Sequence, residues 1–133
     1  MANYALRARD IMQVELATVL SELTVRDAAA LMRHNGVRSL IVEKESDDDA
    51  YGIITYADIV NKVLALGMDP AEVRVDEIMT KPLIVVNPAW KVETVAQMFA
   101  HNNIGHAPVV DDNKIIGIIS MTDLITEIIT EPE

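Results

Sequence analysis

Gly52-Ile53-Ile54-Thr55-Tyr56-Ala57-Asp58 returns 65 residues later as Gly117-Ile118-Ile119-Ser120-Met121-Thr122-Asp123, and this doubled heptad decides the architecture. Upstream of it the same likeness continues at an offset of 67, which lays Ile11-Met12 on Ile78-Met79, Leu16 on Leu83, Val19 on Val86 and Val25 on Val92. Ala29 falls on Ala96, and His34-Asn35 on His101-Asn102. The two-residue change in offset is absorbed by the acidic stretch Glu45-Ser46-Asp47-Asp48-Asp49, which reads as a solvated hairpin tip.

Apolar faces repeat along with the letters. Val25, Ala28, Ala29 and Met32 have the i, i+3, i+4, i+7 spacing of a helix that buries one side, and Val92, Val95, Ala96 and Phe99 repeat it. A second helix is predicted on Tyr56, Ile59, Val60, Val63 and Leu64, matched by Met121, Leu124, Ile125, Ile128 and Ile129; these stripes are core or interface. Leu40-Ile41-Val42, Ile53-Ile54, Val109-Val110 and Ile115 to Ile119 read as short strands. Each copy is therefore an α+β unit running strand, helix, strand, strand, helix. The expected division is residues 1–66 for the first copy with its lead-in, 67–76 for a connector marked by Gly67 and Pro70, and 77–133 for the second copy. Units this small bury too little surface to be comfortable alone, so the copies should pack on each other.

Composition excludes several classes. Half of the 133 residues are apolar and only 4% aromatic, which predicts an aliphatic globular core. With 11 basic and 21 acidic residues the net charge is −10, which repels a nucleic-acid backbone. Apolar runs such as Ile115-Ile116-Gly117-Ile118-Ile119 are far short of a membrane span, and Met1 to Arg7 lacks the pattern of a secretory signal. The absence of cysteine suits a reducing cytosol, so a cytoplasmic location is expected. No Gly-x-Ser-x-Gly elbow, phosphate loop or Gly-x-Gly-x-x-Gly fingerprint occurs, and no histidine pair has metal-clip spacing. Neither an enzyme nor a metal site is expected. The seven methionines and Trp90 read as packing residues, and His34 and His101 as favourable charges at helix ends.

The recurring polar residues are Thr55 with Asp58 and Ser120 with Asp123. One reading is a capping box, in which hydroxyl and carboxylate satisfy each other's backbone amides, and Thr24 with Asp27 has the same spacing. The other is a ligand site, because an ionised aspartate accepts hydrogen bonds and can take both hydroxyls of a sugar diol. A second recurring position differs between the copies: Arg38-Ser39 in the first and Gly105-His106 in the second. Arg38 offers a forked cation suited to phosphate or to solvent, Gly105 a close backbone approach or a relaxed turn, and His106 a donor or a packed ring.

Taken together, Asp10-Ile11-Met12, Glu77-Ile78-Met79-Thr80, the stretch Ile104 to Asp111 ending Ala-Pro-Val-Val-Asp, and both Gly-Ile-Ile-Thr/Ser-x-x-Asp closures resemble the cystathionine β-synthase (CBS) domain pair over nearly the whole chain. The resemblance implies two tandem α+β repeats packed sheet to sheet about a pseudo-twofold axis. It also implies clefts between them for adenosine compounds such as AMP, ADP, ATP or S-adenosylmethionine. By that similarity Asp58 and Asp123 hold ribose hydroxyls, and Thr55 and Ser120 lie near ribose and phosphate. Arg38, Ser39, Gly105, His106 and Pro108 belong to stretches that meet phosphate or base, and Thr18 and Val85 flank adenine.

The implied function is a non-catalytic energy-sensing module with no catalytic cofactor, acting on a partner protein; a ligand-free dimerisation scaffold or an S-adenosylmethionine sensor are the alternatives. Such modules pair through helices, which places Tyr56/Ile59/Val63 and Met121/Leu124/Ile128 at a homodimer interface. The first copy departs from the pattern, with Ile41 where the second has Pro108 and Ser21 where it has Pro88. Residues 1–66 carry a charge of −3 and residues 67–133 of −7, so ligands with few phosphates are expected unless Mg2+ screens the rest.

Overall fold

The computed structural model describes residues 1–46, 49–81 and 84–129. Asp47 and Asp48 of the acidic stretch, and Leu83 of the repeat alignment, lie outside the described residues. In chain order the elements are α1 (Ala8–Ile11), β1 (Thr18–Val19), α2 (Val25–Asn35), β2 (Ser39–Val42), β3 (Gly52–Thr55), α3 (Tyr56–Ile59), α4 (Val75–Ile78), α5 (Val92–Asn102), β4 (His106–Asp111), β5 (Lys114–Ser120) and α6 (Met121–Ile128). A π-helical turn, Val60–Leu64, continues α3, and a short 3-10 turn, Pro70–Glu72, precedes α4.

The chain forms two compact units, Leu16–Pro82 and Met1–Glu15 with Leu83–Glu133. These units do not coincide with the repeat boundaries expected from the sequence. The lead-in before the first copy packs with the second copy, and the connector packs with the first.

In the unit Leu16–Pro82 the sheet order is β1-β2-β3, with β1 parallel to β2 and β2 antiparallel to β3. Thr80 adds an antiparallel bridge to Ile53 at the far edge. The core gathers Val25, Ala28 and Met32 of α2, Leu40 and Val42 of β2, Ile54, Ile59 and Val63, together with Val73, Val75 and Ile78 from the former connector and α4. Thr24 caps α2 through the reciprocal bonds with Asp27, and Gly36, at φ +66°, closes it in the left-handed conformation that glycine adopts without strain.

The other unit repeats this plan. Strands β4 and β5 are antiparallel, Val86 bridges Val109 in parallel, and Gln13 bridges Ile118 antiparallel. Val86 stands for β1 and Gln13 for Thr80. The first strand is cut to this single bridge for a chemical reason: the amide of Ile41 donates to Ala17 at 3.0 Å, whereas Pro108, at the equivalent position, has no N–H to give. The core holds Ala8 and Ile11 of α1, Val86, Val92, Val95, Phe99, Ala107, Val109, Ile119, Leu124 and Ile128. Ala96, expected on the buried stripe, is exposed; Met98 packs against the core from the same helix.

The glycine that opens each heptad has a steric role. A Cβ at Gly117 would stand 2.7 Å from Met12 Sδ and 3.0 Å from the Gln13 carbonyl, and one at Gly52 would stand 2.8 Å from Met79 Sδ. In each unit, the methionine of an Ile-Met pair lies over the glycine.

The second-helix stripes resolve into two faces. Ile59, Val63, Leu124 and Ile128 are buried in the cores, so their expected place at an interface is corrected. Tyr56, Val60, Leu64, Met121, Ile125 and Ile129 are the outward residues, between 46% and 60% exposed.

Candidate ligand site

Strand register builds the same corner in each unit. Ser39 pairs with Thr55 across β2 and β3, and His106 with Ser120 across β4 and β5. The amide of Tyr56 then donates to the Arg38 carbonyl at 3.1 Å, and that of Met121 to the Gly105 carbonyl at 2.9 Å. Arg38, Ser39, Thr55 and Asp58 are thus brought together in one unit, and Gly105, His106, Ser120 and Asp123 in the other. Thr18 lies on β1 opposite Ile41, exposed. Val85 is exposed just before the Val86 bridge, and Pro108 is buried in β4 with its carbonyl accepting from Val86 at 2.8 Å.

The capping-box geometry is fully formed at both corners. Asp58 Oδ2 accepts from the Thr55 amide at 2.9 Å and the Thr55 hydroxyl at 3.2 Å, while Thr55 Oγ1 accepts from the Asp58 amide at 3.2 Å. Asp123 Oδ2 accepts from the Ser120 amide at 2.8 Å and the Ser120 hydroxyl at 2.9 Å, and Ser120 Oγ accepts from the Asp123 amide at 3.2 Å. These bonds use one carboxylate oxygen and leave the other facing away from the cap.

What meets the second oxygen differs between the copies. Lys62 Nζ lies 3.0 Å from Asp58 Oδ1 and also donates to the Ile78 carbonyl, the end of α4, at 2.8 Å. Gln13 Nε2 donates to Asp123 Oδ1 at 3.0 Å. Asp123 is 8% exposed, so its neutral amide partner matters to its burial. Neither Lys62 nor Gln13 belongs to the set predicted from the sequence. Lys62 was discoverable, since a lysine four residues after an aspartate on a helix pairs with it; Gln13 sits 110 residues from its partner, and no local pattern announces that.

A carboxylate offers about four acceptor positions. Each aspartate spends three, which leaves room for one hydroxyl, and for two if Lys62 or Gln13 withdraws.

Elsewhere in the unit Leu16–Pro82, a hollow of about 460 Å³ is lined by Glu45, Ser46, Asp49, Asp76, Met79 and Lys81, none of them a predicted ligand residue. Asp49, expected at a solvated tip, pairs with Lys81, whose hydrogen bond chiefly holds its carboxyl down at about 2. Among the described residues no group of three or more His, Cys, Asp or Glu side chains is arranged to hold a metal ion. Nor is any described helix long and apolar enough to cross a membrane.

The CBS domain family model matches residues 8–65 and 75–130, and the chain belongs to this family. It is 32% identical over 116 residues to the CBS domain-containing protein YhcV of Bacillus subtilis, covering 87% of this chain and 81% of that one. It is 37% identical over 103 residues to the uncharacterized protein MK0525 of Methanopyrus kandleri, covering 77% of this chain and about half, 52%, of that protein. Among solved structures it resembles a hexameric CBS-CP12 protein from bloom-forming cyanobacteria, with a TM-score of 0.88 and 46% identity over 92% of this chain and 67% of that one. The CBS domain pair of protein MJ0100, solved with 5-methylthioadenosine and S-adenosyl-L-methionine, aligns with a TM-score of 0.75 and 28% identity over 90% of this chain and 97% of that one.

Proposed function

We propose that the chain is a non-catalytic regulatory module that binds AMP, ADP or ATP at its two hydroxyl–aspartate corners and passes the resulting population shift to a partner protein in the cytoplasm. The observation that carries this reading is the incomplete use of Asp58 and Asp123: each caps its helix with one oxygen and keeps acceptor capacity on the other. Ribose hydroxyls are the donors that fit. Thr55, Ser120, Ser39 and His106 line the approach, Arg38 and Gly105 meet phosphate or backbone, and Thr18, Val85 and Pro108 flank the base. The MJ0100 complex favours a second reading, S-adenosylmethionine or methylthioadenosine in the same corners.

A thermal-shift panel of adenosine, AMP, ADP, ATP with and without Mg2+, S-adenosylmethionine, methylthioadenosine and GMP tests it. A true ligand at 100 times its Kd adds about 2.7 kcal/mol of stability. Asp58→Ala and Asp123→Ala should each weaken one corner about 10- to 100-fold by calorimetry, from the loss of charge-assisted bonds. A panel in which no adenosine compound raises Tm returns both aspartates to the role of caps.

The same reading includes a homodimer through the outward stripe Tyr56, Val60, Leu64 and its counterpart Met121, Ile125, Ile129, which leave apolar side chains in water. The hexameric assembly of the cyanobacterial CBS-CP12 protein is in keeping with self-association. Val60→Lys with Ile125→Lys should convert dimer to monomer in sedimentation equilibrium while the far-ultraviolet circular dichroism stays native; an unchanged mass would exclude these faces.

A further inference from the structure

The two corners share their cap but carry opposite charge around it. At the first, Asp58 is paired with Lys62, and Arg38 stands at the adjoining strand start with no ion pair for its guanidinium among the described residues. At the second, Gly105 replaces Arg38, His106 replaces Ser39, and Glu127 replaces Lys62 at the same four-residue step from the aspartate. The partner of Asp123 is the neutral amide of Gln13. One aspartate therefore has a lysine paired with it and an arginine at the strand start whose carbonyl meets its helix, and the other has a second carboxylate on its own helix face.

We propose, resting on the adenosine reading above, that the corners are chemically specialised: the first takes a nucleoside phosphate, and the second takes a nucleoside without negative charge. Lys62 is the specificity-determining residue. A diol that takes both acceptor positions of Asp58 Oδ1 displaces the Lys62 ammonium from one of them; that ammonium, 44% exposed in the π turn, is held otherwise by the Ile78 carbonyl. That ammonium, on its flexible four-carbon stem, is then free for a 5′ phosphate alongside the forked guanidinium of Arg38. At the second corner the same diol displaces a neutral amide. Asp123 and Glu127 remain beside His106, and the positions equivalent to Arg38 and Lys62 supply no lysine or arginine for a phosphate brought there.

The test is titration calorimetry of the full chain with adenosine and with AMP at low ionic strength, where charge effects are least screened. Expected are two adenosine sites and one tight AMP site per chain. Lys62→Gln should cut the ratio of AMP to adenosine affinity at least tenfold, and Lys62→Arg should restore it. The converse variant, Gly105→Arg with Glu127→Lys, should raise the AMP stoichiometry to two. It is sterically reasonable, because a Cβ at Gly105 meets only the flexible Met121 side chain, at 3.4 Å. Two equal AMP sites in the unaltered chain, or an affinity ratio indifferent to Lys62→Gln, overturns the specialisation while leaving the adenosine reading in place. Binding of neither compound defeats both.

Discussion

Removal of residues 2–13 is expected to unfold the unit that contains the second copy while leaving the first copy's core structured. Ala8 and Ile11 lie at 0% and 4% exposure within the core of Val92, Val95, Phe99 and Ile119. The burial of Ile11 alone is worth about 1.5–3 kcal/mol. Its loss would be compounded by donors left without partners, since the Val92 amide gives to Leu6 at 3.1 Å and the Ile118 amide to Gln13 at 3.0 Å. Each buried group orphaned in this way costs about 1–3 kcal/mol. The total approaches the roughly 5–15 kcal/mol that holds a whole domain together. Hydrogen exchange resolved by residue provides the check: protection should vanish in β4, β5 and α5 and persist in β2, β3 and α2. Native protection of β5 in the shortened chain would contradict the assignment of α1 to that core.

The second large effect is expected at the middle of the heptad. Ile54 and Ile119 are each 0% exposed and each central to its own core. Ile119→Ala and Ile54→Ala should each cost about 2–5 kcal/mol, the transfer energy of the lost methyl groups plus the cavity left in a packed interior. Denaturant titration with an unchanged m-value measures the loss. Because the two side chains occupy equivalent places on duplicated strands, both penalties should fall in this range, and their difference measures how differently the two cores relax around the gap. A cost under about 0.5 kcal/mol for either would mean that its site collapses around the gap.

Much of this was legible in the letters. The i, i+3, i+4, i+7 spacing located α2 and α5 because a helix must hide one face, and the runs of isoleucine and valine located β2, β3, β4 and β5. The reciprocal caps at Thr55/Asp58 and Ser120/Asp123 followed from hydroxyl and carboxylate at a fixed spacing, a purely local geometry. Burial of particular stripe members was not legible. Tyr56, Ile59, Val60, Val63 and Leu64 are all apolar, so composition could not divide core from surface; only the direction in which the sheet lies does so. The reduced first strand of the second copy was readable in principle, since Pro108 cannot donate, but only once its hydrogen-bonding neighbour was known.

By itself the sequence determined the duplication, the α+β order of each copy and the hydroxyl–aspartate pairs at the helix starts, since these depend on neighbours close along the chain. Tertiary structure alone decided which sheet each lead-in completes: Gln13 joins β5 and Thr80 joins β3. Ile11-Met12 and Ile78-Met79 carry the same letters and offer either sheet the same apolar side chains and backbone donors. The choice rests on long-range chain closure, and it is that closure which sets the neutral Gln13 amide against Asp123.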